Sequence, residues 1–260
     1  MAKLIEKLNV ENLTKKFNGK IVFEDLSFSV YEGEFLTILG PSGCGKSTIL
    51  RILIGLLDAD RGAILLNDVN ITKYSSDKRE MGIVFQNYAL FENMTVEQNI
   101  KYALKFHNKS KEEASSLTAK VIKSTGLEGL EKKYPRKLSG GQQQRVAIAR
   151  TLVINPKIIL FDEPLSALDV ETRLVLRNEI KRIQEEYNTT MIYITHDQEE
   201  AFAMSDRIMI INDGVIHQID TPENILYSPA NEYVEKFVIE NLKIKMNSLM
   251  KYVGKLNEKV

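Results

Sequence analysis

Two short stretches of this sequence hold residues whose types and spacing suit phosphate chemistry. Gly40-Pro41-Ser42-Gly43-Cys44-Gly45-Lys46-Ser47, followed by Thr48, sets Gly-Lys-Ser four residues beyond a first glycine, the spacing of a phosphate-binding loop. Its glycines let backbone amides turn toward phosphate oxygens, and a helix opening near Ser47 adds the partial positive charge of its N-terminus. Lys46 would reach the β- and γ-phosphates of a nucleotide, and the Ser47 hydroxyl would ligate Mg2+. The second stretch, Lys157 to Phe161 followed by Asp162-Glu163-Pro164, is an apolar strand that ends in two carboxylates. Such a strand buries its body and presents its acids at the carboxyl edge, where ligands bind in open α/β sheets. Asp162 would hold the magnesium, directly or through water, and Glu163 would stand where a base can take a proton from attacking water. Alone, this stretch reads equally well as a strand and a solvated acidic turn. The phosphate loop tips it toward catalysis.

A third stretch, Leu138-Ser139-Gly140-Gly141-Gln142, precedes a helical pattern through Arg145, Val146, Ile148 and Leu152. Ser139 there reads first as a helix cap flanked by turn glycines. The other reading makes Ser139 and the Gly140 and Gly141 amides a second anion site at a helix start.

The elements that must position these residues are legible in outline. Residues 6–39 and 61–72 read as short strands, with Asn18-Gly19 and Glu32-Gly33 as turns. The helix after the phosphate loop is expected over Ser47 to Leu57, and Met94 to about Lys133 reads as helical. Pro135 breaks that pattern, and a further helix is expected from about Gly141 to Ile154, stopped by Asn155-Pro156. A polar helix, roughly Val170 to Tyr187, separates the strands Lys157 to Phe161 and Thr190 to Thr195, which is the grammar of a parallel α/β sheet. Arg207 to Asn212 and Val215 to Gln218 close a hairpin around Asp213-Gly214.

The chain has 260 residues, with 35 Lys+Arg against 35 Asp+Glu, 43% hydrophobic and 27% charged residues. That composition excludes a disordered chain. The charge balance argues against holding nucleic acid by bulk phosphate attraction. The apolar run Ile52 to Leu57 ends at Asp58, far short of the roughly 18 residues of a bilayer span, and Met1 to Glu6 lacks the features of a secretory signal. One cysteine, Cys44, allows no internal disulfide. A reduced, intracellular, soluble chain is expected.

Taken in order, these motifs resemble the ATP-binding subunits of ABC transporters: the phosphate loop, Gln86 after a strand, Leu138 to Gln142, Asp162-Glu163, the Ser166-Ala167-Leu168-Asp169 turn and His196. The resemblance runs from about residue 8 to 238. It implies an α/β phosphate-loop NTPase core with a mostly parallel sheet, an N-terminal antiparallel β subdomain and a helical lobe inserted at about 87–156. It implies ATP and Mg2+ as ligands, and a second copy of the subunit meeting the first head to tail. Each ATP would lie between one chain's phosphate loop and Ser139, Gly140, Gly141 and Gln142 of the other. Gln86 resembles the glutamine that senses magnesium and the γ-phosphate. His196 resembles the switch histidine on the γ-phosphate, and Phe17 falls where an aromatic ring stacks on adenine. Cys44 stands where a small residue is common; the alternative is a thiol with a lowered pKa, open to alkylation without nucleotide.

Tyr88 to Val96, Thr195 to Ala201 and Thr221 to Asn231 resemble importer ATPases, of the subfamily serving ferric iron, polyamines, sulfate or molybdate, and sugars. The resemblance therefore implies transmembrane permease subunits as partners and, through them, a solute-binding protein. It places the chain peripherally on the cytoplasmic face of the cell membrane, with no span of its own. Tyr88 to Phe91 would line the groove for a permease coupling helix, or else belong to the core. Many of these relatives carry a further barrel domain, for which residues 239–260 are too few, and Asp220 stands where relatives often have glycine. Those residues instead hold a heptad-type seam of Leu242, Met246, Leu249, Val253 and Leu256, with five lysines against two glutamates. The seam could pack on the core, pair with a second copy or touch anionic lipid. A soluble ABC ATPase acting as a mechanical clamp on nucleic acid or protein complexes is the alternative function.

Overall fold

The computed structural model describes residues 5–107 and 109–248. Two sheets carry the site. The first is antiparallel, in the order β2-β1-β4-β5, from β1 (Glu6–Phe17), β2 (Lys20–Tyr31), β4 (Arg61–Leu66) and β5 (Val69–Asn70). The second has the order β10-β9-β3-β8-β7-β6, from β3 (Phe35–Leu39), β6 (Met81–Val84), β7 (Ile158–Asp162), β8 (Thr190–Thr195), β9 (Arg207–Asn212) and β10 (Val215–Asp220). All its pairings are parallel except the closing hairpin of β9 and β10.

The central strands are apolar on both faces because both faces are covered. Along β7, Ile158 and Leu160 pack toward the antiparallel sheet and α1 (Lys46–Leu53), while Ile159 and Phe161 pack toward the helices on the other side. Strand β8 alternates in the same way, with Ile192 and Ile194 on one face and Met191 and Tyr193 on the other. Those helices are α2 (Val96–Ala103), α3 (Lys111–Ser124), α4 (Gly140–Leu152) and α5 (Val170–Tyr187). Each starts at a side-chain cap. Thr95, Ser110 and Ser139 form reciprocal capping boxes with Gln98, Glu113 and Gln142, and Asp169 accepts from the Thr172 amide.

Two helix expectations need correction. Helix α1 ends at Leu53, not Leu57. Gly55 turns the chain at φ +80°, and the buried Arg79 guanidinium takes the carbonyls of Ile52 and Leu53 at 2.6 and 2.9 Å. A cation on the last carbonyls of a helix satisfies groups that the next turn would otherwise use. The stretch from Met94 to Lys133 is two helices and not one. From Thr125 the chain runs in turns, and the carbonyls of Glu131 and Lys133 accept from the first-turn amides of α2 at Glu97 and Val96.

Helix α6 (Gln198–Met204) joins β8 to β9, and α7 (Pro222–Tyr227) follows β10. The short α8 (Glu232–Val234) then runs through a π-helical turn, Glu235–Glu240. Val234 and Val238 pack on Leu39, Ile208 and Ile210. Leu242 is partly buried against that cluster and Met246 is exposed, whereas Leu249, Val253 and Leu256 lie outside the described residues. No helix among the described residues is long and apolar enough to cross a membrane.

Candidate active site

The phosphate-loop residues 40–47 connect β3, between β8 and β9, to α1. Gly45 caps α1 at φ +99°, with no side chain bonded to the first-turn amides. That backbone suits glycine alone, and it leaves the helix's N–H groups for an anion. A Cβ on Gly40 would meet the Ile211 carbonyl at 2.2 Å, so the loop's first residue is held against β9. Ser42 and Gly43 are exposed at the rim, while Ser47 and Thr48 are half-buried in the first turn. Lys46 is buried; its ammonium donates to the carbonyls of Gly40 and Pro41 at 2.8 Å each and lies 3.9 Å from Glu163.

The carboxyl end of β7 faces this loop. Ser47 Oγ donates to Asp162 Oδ1 at 2.7 Å. A hydroxyl and a carboxylate oxygen brought together are hard donors of the kind Mg2+ takes when substrate phosphates complete its shell. Glu163 follows in left-handed backbone, φ 46°, its amide tied to the Ile194 carbonyl at 3.1 Å. A non-glycine residue held there is strained. The bend brings Glu163 Oε2 to 2.9 Å from His196 Nδ1. His196 is 51% exposed, so its ring stands at the surface of the site. The Gln86 amide donates to Ser166 Oγ at 3.0 Å, and Ser166 in turn donates to the Glu163 carbonyl at 2.9 Å. Lys46, Ser47, Asp162, Glu163 and His196 are thus joined directly. Gln86 is joined through Ser166.

On the other side of the loop, a cleft of about 320 Å³ lies between Phe17, Lys20, Val22, Cys44, Asp213 and Gly214. The Phe17 ring is 46% exposed, with the Lys15 ammonium 5.2 Å from its centroid. Size, an open aromatic face and adjacency to the phosphate loop fit a purine base. Asp213 and Gly214 were legible in the sequence only as a turn. A Cβ on Gly214, at φ +75°, would meet the Val22 carbonyl at 2.2 Å, so only glycine lets the turn close over β2. The lowered-pKa alternative for Cys44 is corrected here: the thiol is 6% exposed, and burial pushes its pKa up against the opposing pull of Lys46.

Ser139, Gly140, Gly141 and Gln142 form the start of α4. Ser139 Oγ accepts from the Gln142 amide and Gln142 Oε1 accepts from the Ser139 amide, so Ser139 is a helix cap. Among the described residues no hydrogen bond joins 139–142 to residues 40–48. Beside them a second cleft of about 290 Å³ opens between Ser139, Gln142, Arg145, Glu171 and Thr172. The groove reading of Tyr88 is also corrected: its ring is 8% exposed and belongs to the core, whereas Ala89 and Phe91 reach the surface.

Fold and site together define a phosphate-loop nucleotide-binding protein of the α/β class. The profile described as ABC transporter matches residues 23–166. The chain is 46% identical over 233 residues to the spermidine/putrescine import ATP-binding protein PotA of Marinobacter nauticus, covering 90% of this chain and 62% of that one. It is 44% identical over 251 residues to the Fe(3+) ions import ATP-binding protein FbpC of Fusobacterium nucleatum, covering 95% of this chain and 68% of that one. Its fold matches the dimeric post-hydrolysis structure of the ATP-binding cassette MJ0796 bound to ADP and Pi, with TM-score 0.73, 34% identity, and coverage of 83% of this chain and 98% of that one. The chain belongs to the ABC transporter family. It spans roughly two thirds of the length of the curated relatives it matches.

Proposed function

We propose that this chain is the ATP-hydrolysing subunit of an importer, working as a head-to-tail pair on a separate membrane permease at the cytoplasmic face of the membrane. The observation that carries the reading is the joined set at the carboxyl edge of the parallel sheet: Ser47 on Asp162, and Glu163 between Lys46 and His196. PotA and FbpC are named as import subunits, which supports import over the mechanical clamp. The dimeric MJ0796 structure supports pairing.

In this reading Phe17 stacks on adenine, and the amides of residues 40–47 with Lys46 hold the β- and γ-phosphates. Ser47 and Asp162 would hold Mg2+, with Gln86 near the ion and the γ-phosphate; bound there, the ion would neutralise charge developing on the phosphoryl oxygens. Glu163 orients water and accepts its proton, and His196 holds the γ-phosphate end. Removing the nucleotide withdraws the acceptor of the α1 amides, so Mg-ATP should raise the melting temperature. Ser139 to Gln142 of one copy act on the nucleotide of the other, which fits the absence, among the described residues, of any hydrogen bond from them to their own phosphate loop. Closure of the pair by ATP would move the permease, and hydrolysis would reopen it.

The test is phosphate release by the purified chain with Mg-ATP. Glu163→Gln should cut turnover by about 100-fold or more while ATP binding is kept. Turnover unaffected by Glu163→Gln would contradict the assignment.

A further inference from the structure

Two residues after Gln86 the chain makes a distorted turn. Tyr88 and Ala89 are both left-handed, at φ 60° and 48°, a conformation that side chains with a Cβ rarely adopt. Something outside the turn must hold it. Arg150, in the last turn of α4, donates from Nη1 to the Ala89 carbonyl at 2.7 Å and from Nη2 to the Tyr88 carbonyl at 3.0 Å. Its guanidinium also lies 5.6 Å from the centroid of the Phe91 ring. The far end of the same loop is held by Asn99, which bonds the Phe91 amide and the carbonyls of Phe91, Met94 and Thr95. At the other end of α4, a Cβ on Gly140 would stand 3.9 Å from the Tyr88 hydroxyl and 2.9 Å from the Leu168 side chain. The loop after Gln86 is therefore bonded to the last turn of α4, and the Tyr88 hydroxyl comes near its first turn.

We propose that Arg150 is a positioning residue that latches the loop following Gln86 onto the helix beginning at Gly140, so that Gln86 and Ser139 move as one body. A planar guanidinium can serve two neighbouring carbonyls at once, which a lysine ammonium does not reproduce. Arg150 acts on hydrolysis through Gln86, since its bonds go to the loop and none goes to residues 40–47, Asp162 or Glu163. A glutamine sensing the γ-phosphate in one site would thereby be mechanically tied to the Ser139 edge that serves the other. The inference rests on the proposed role of Gln86, and the experiment separates the two.

Steady-state ATP hydrolysis and melting temperature are measured for Arg150→Lys, Arg150→Ala, Gln86→Ala and the double variant Gln86→Ala with Arg150→Lys. Arg150→Lys keeps the stem packing and the charge but loses the fork. It should melt like the parent and keep KM within about twofold, yet lose about tenfold or more in kcat. The double variant should be no slower than Gln86→Ala alone, because both changes remove the same positioning. Parental kcat in Arg150→Lys and Arg150→Ala, with Gln86→Ala impaired, would overturn the latch. So would losses that multiply in the double variant, or a rise in KM that tracks a fall in melting temperature. Parental kcat in Gln86→Ala would overturn the role of Gln86 itself.

Discussion

Cys44 shows how one residue in a reactive-looking position is disarmed by packing. A helix N-terminus and a lysine would both lower a thiol's pKa, but the sulfur is buried in the cluster that includes Phe23 and Ile49, and desolvation outweighs them. Alkylation by a neutral thiol reagent at neutral pH should therefore be much slower than for an exposed model thiol, whether or not ATP is present. Rapid labelling that ATP suppresses would instead show the thiol open to solvent in the empty cleft. The phosphate-loop residues were readable from spacing alone and the paired carboxylates once that loop stood beside them, whereas Gln86, His196 and Phe17 were singled out only by resemblance to the family. The left-handed backbone of Glu163 carries no such signal. It comes from the tie between its amide and β8, a partner far along the chain.

At the scale of elements, β8 delivers His196 and α6 begins at once after it, capped by Asp197. In the first turn of α6 Glu200 is buried, accepting from the hydroxyls of Tyr193 and Thr195 at 2.9 and 2.8 Å, with Arg173 at 3.8 Å and Asp197 nearby. Burial raises its pKa above 4.5. Below that value the carboxyl is protonated in both states. As pH rises the unfolded chain gives up its proton first, so this group's contribution to stability falls until the pH passes the folded value. Glu200→Gln can still accept both hydroxyls and has no proton to lose. Its melting temperature should gain on the parent as pH rises through that window, and a constant difference would refute the burial argument. Unbroken apolar runs made β7 and β8 readable almost to the residue, and the polar stretch between them did the same for α5. The end of α1 was not, because Arg79, which closes it, lies beyond β4 and β5 and reads locally as a surface arginine.

The whole molecule places an antiparallel sheet and α1 on one face of the parallel sheet and α4 with α5 on the other. That arrangement puts the phosphate loop and Ser139 to Gln142 in separate clefts of one chain. Sequence order could not reveal the separation, which depends on how the helices pack across the sheet. In the proposed reading each chain carries halves of two different sites, and a second copy turned head to tail would complete both. The central claim is tested most directly by the molar mass of Glu163→Gln in solution, by light scattering with and without Mg-ATP. Blocking hydrolysis should trap the pair, so the mass should double only with Mg-ATP, and adding Ser139→Arg should abolish the doubling. A monomer in both conditions, with ATP shown to bind, or a dimer indifferent to ATP and to Ser139→Arg, would contradict it.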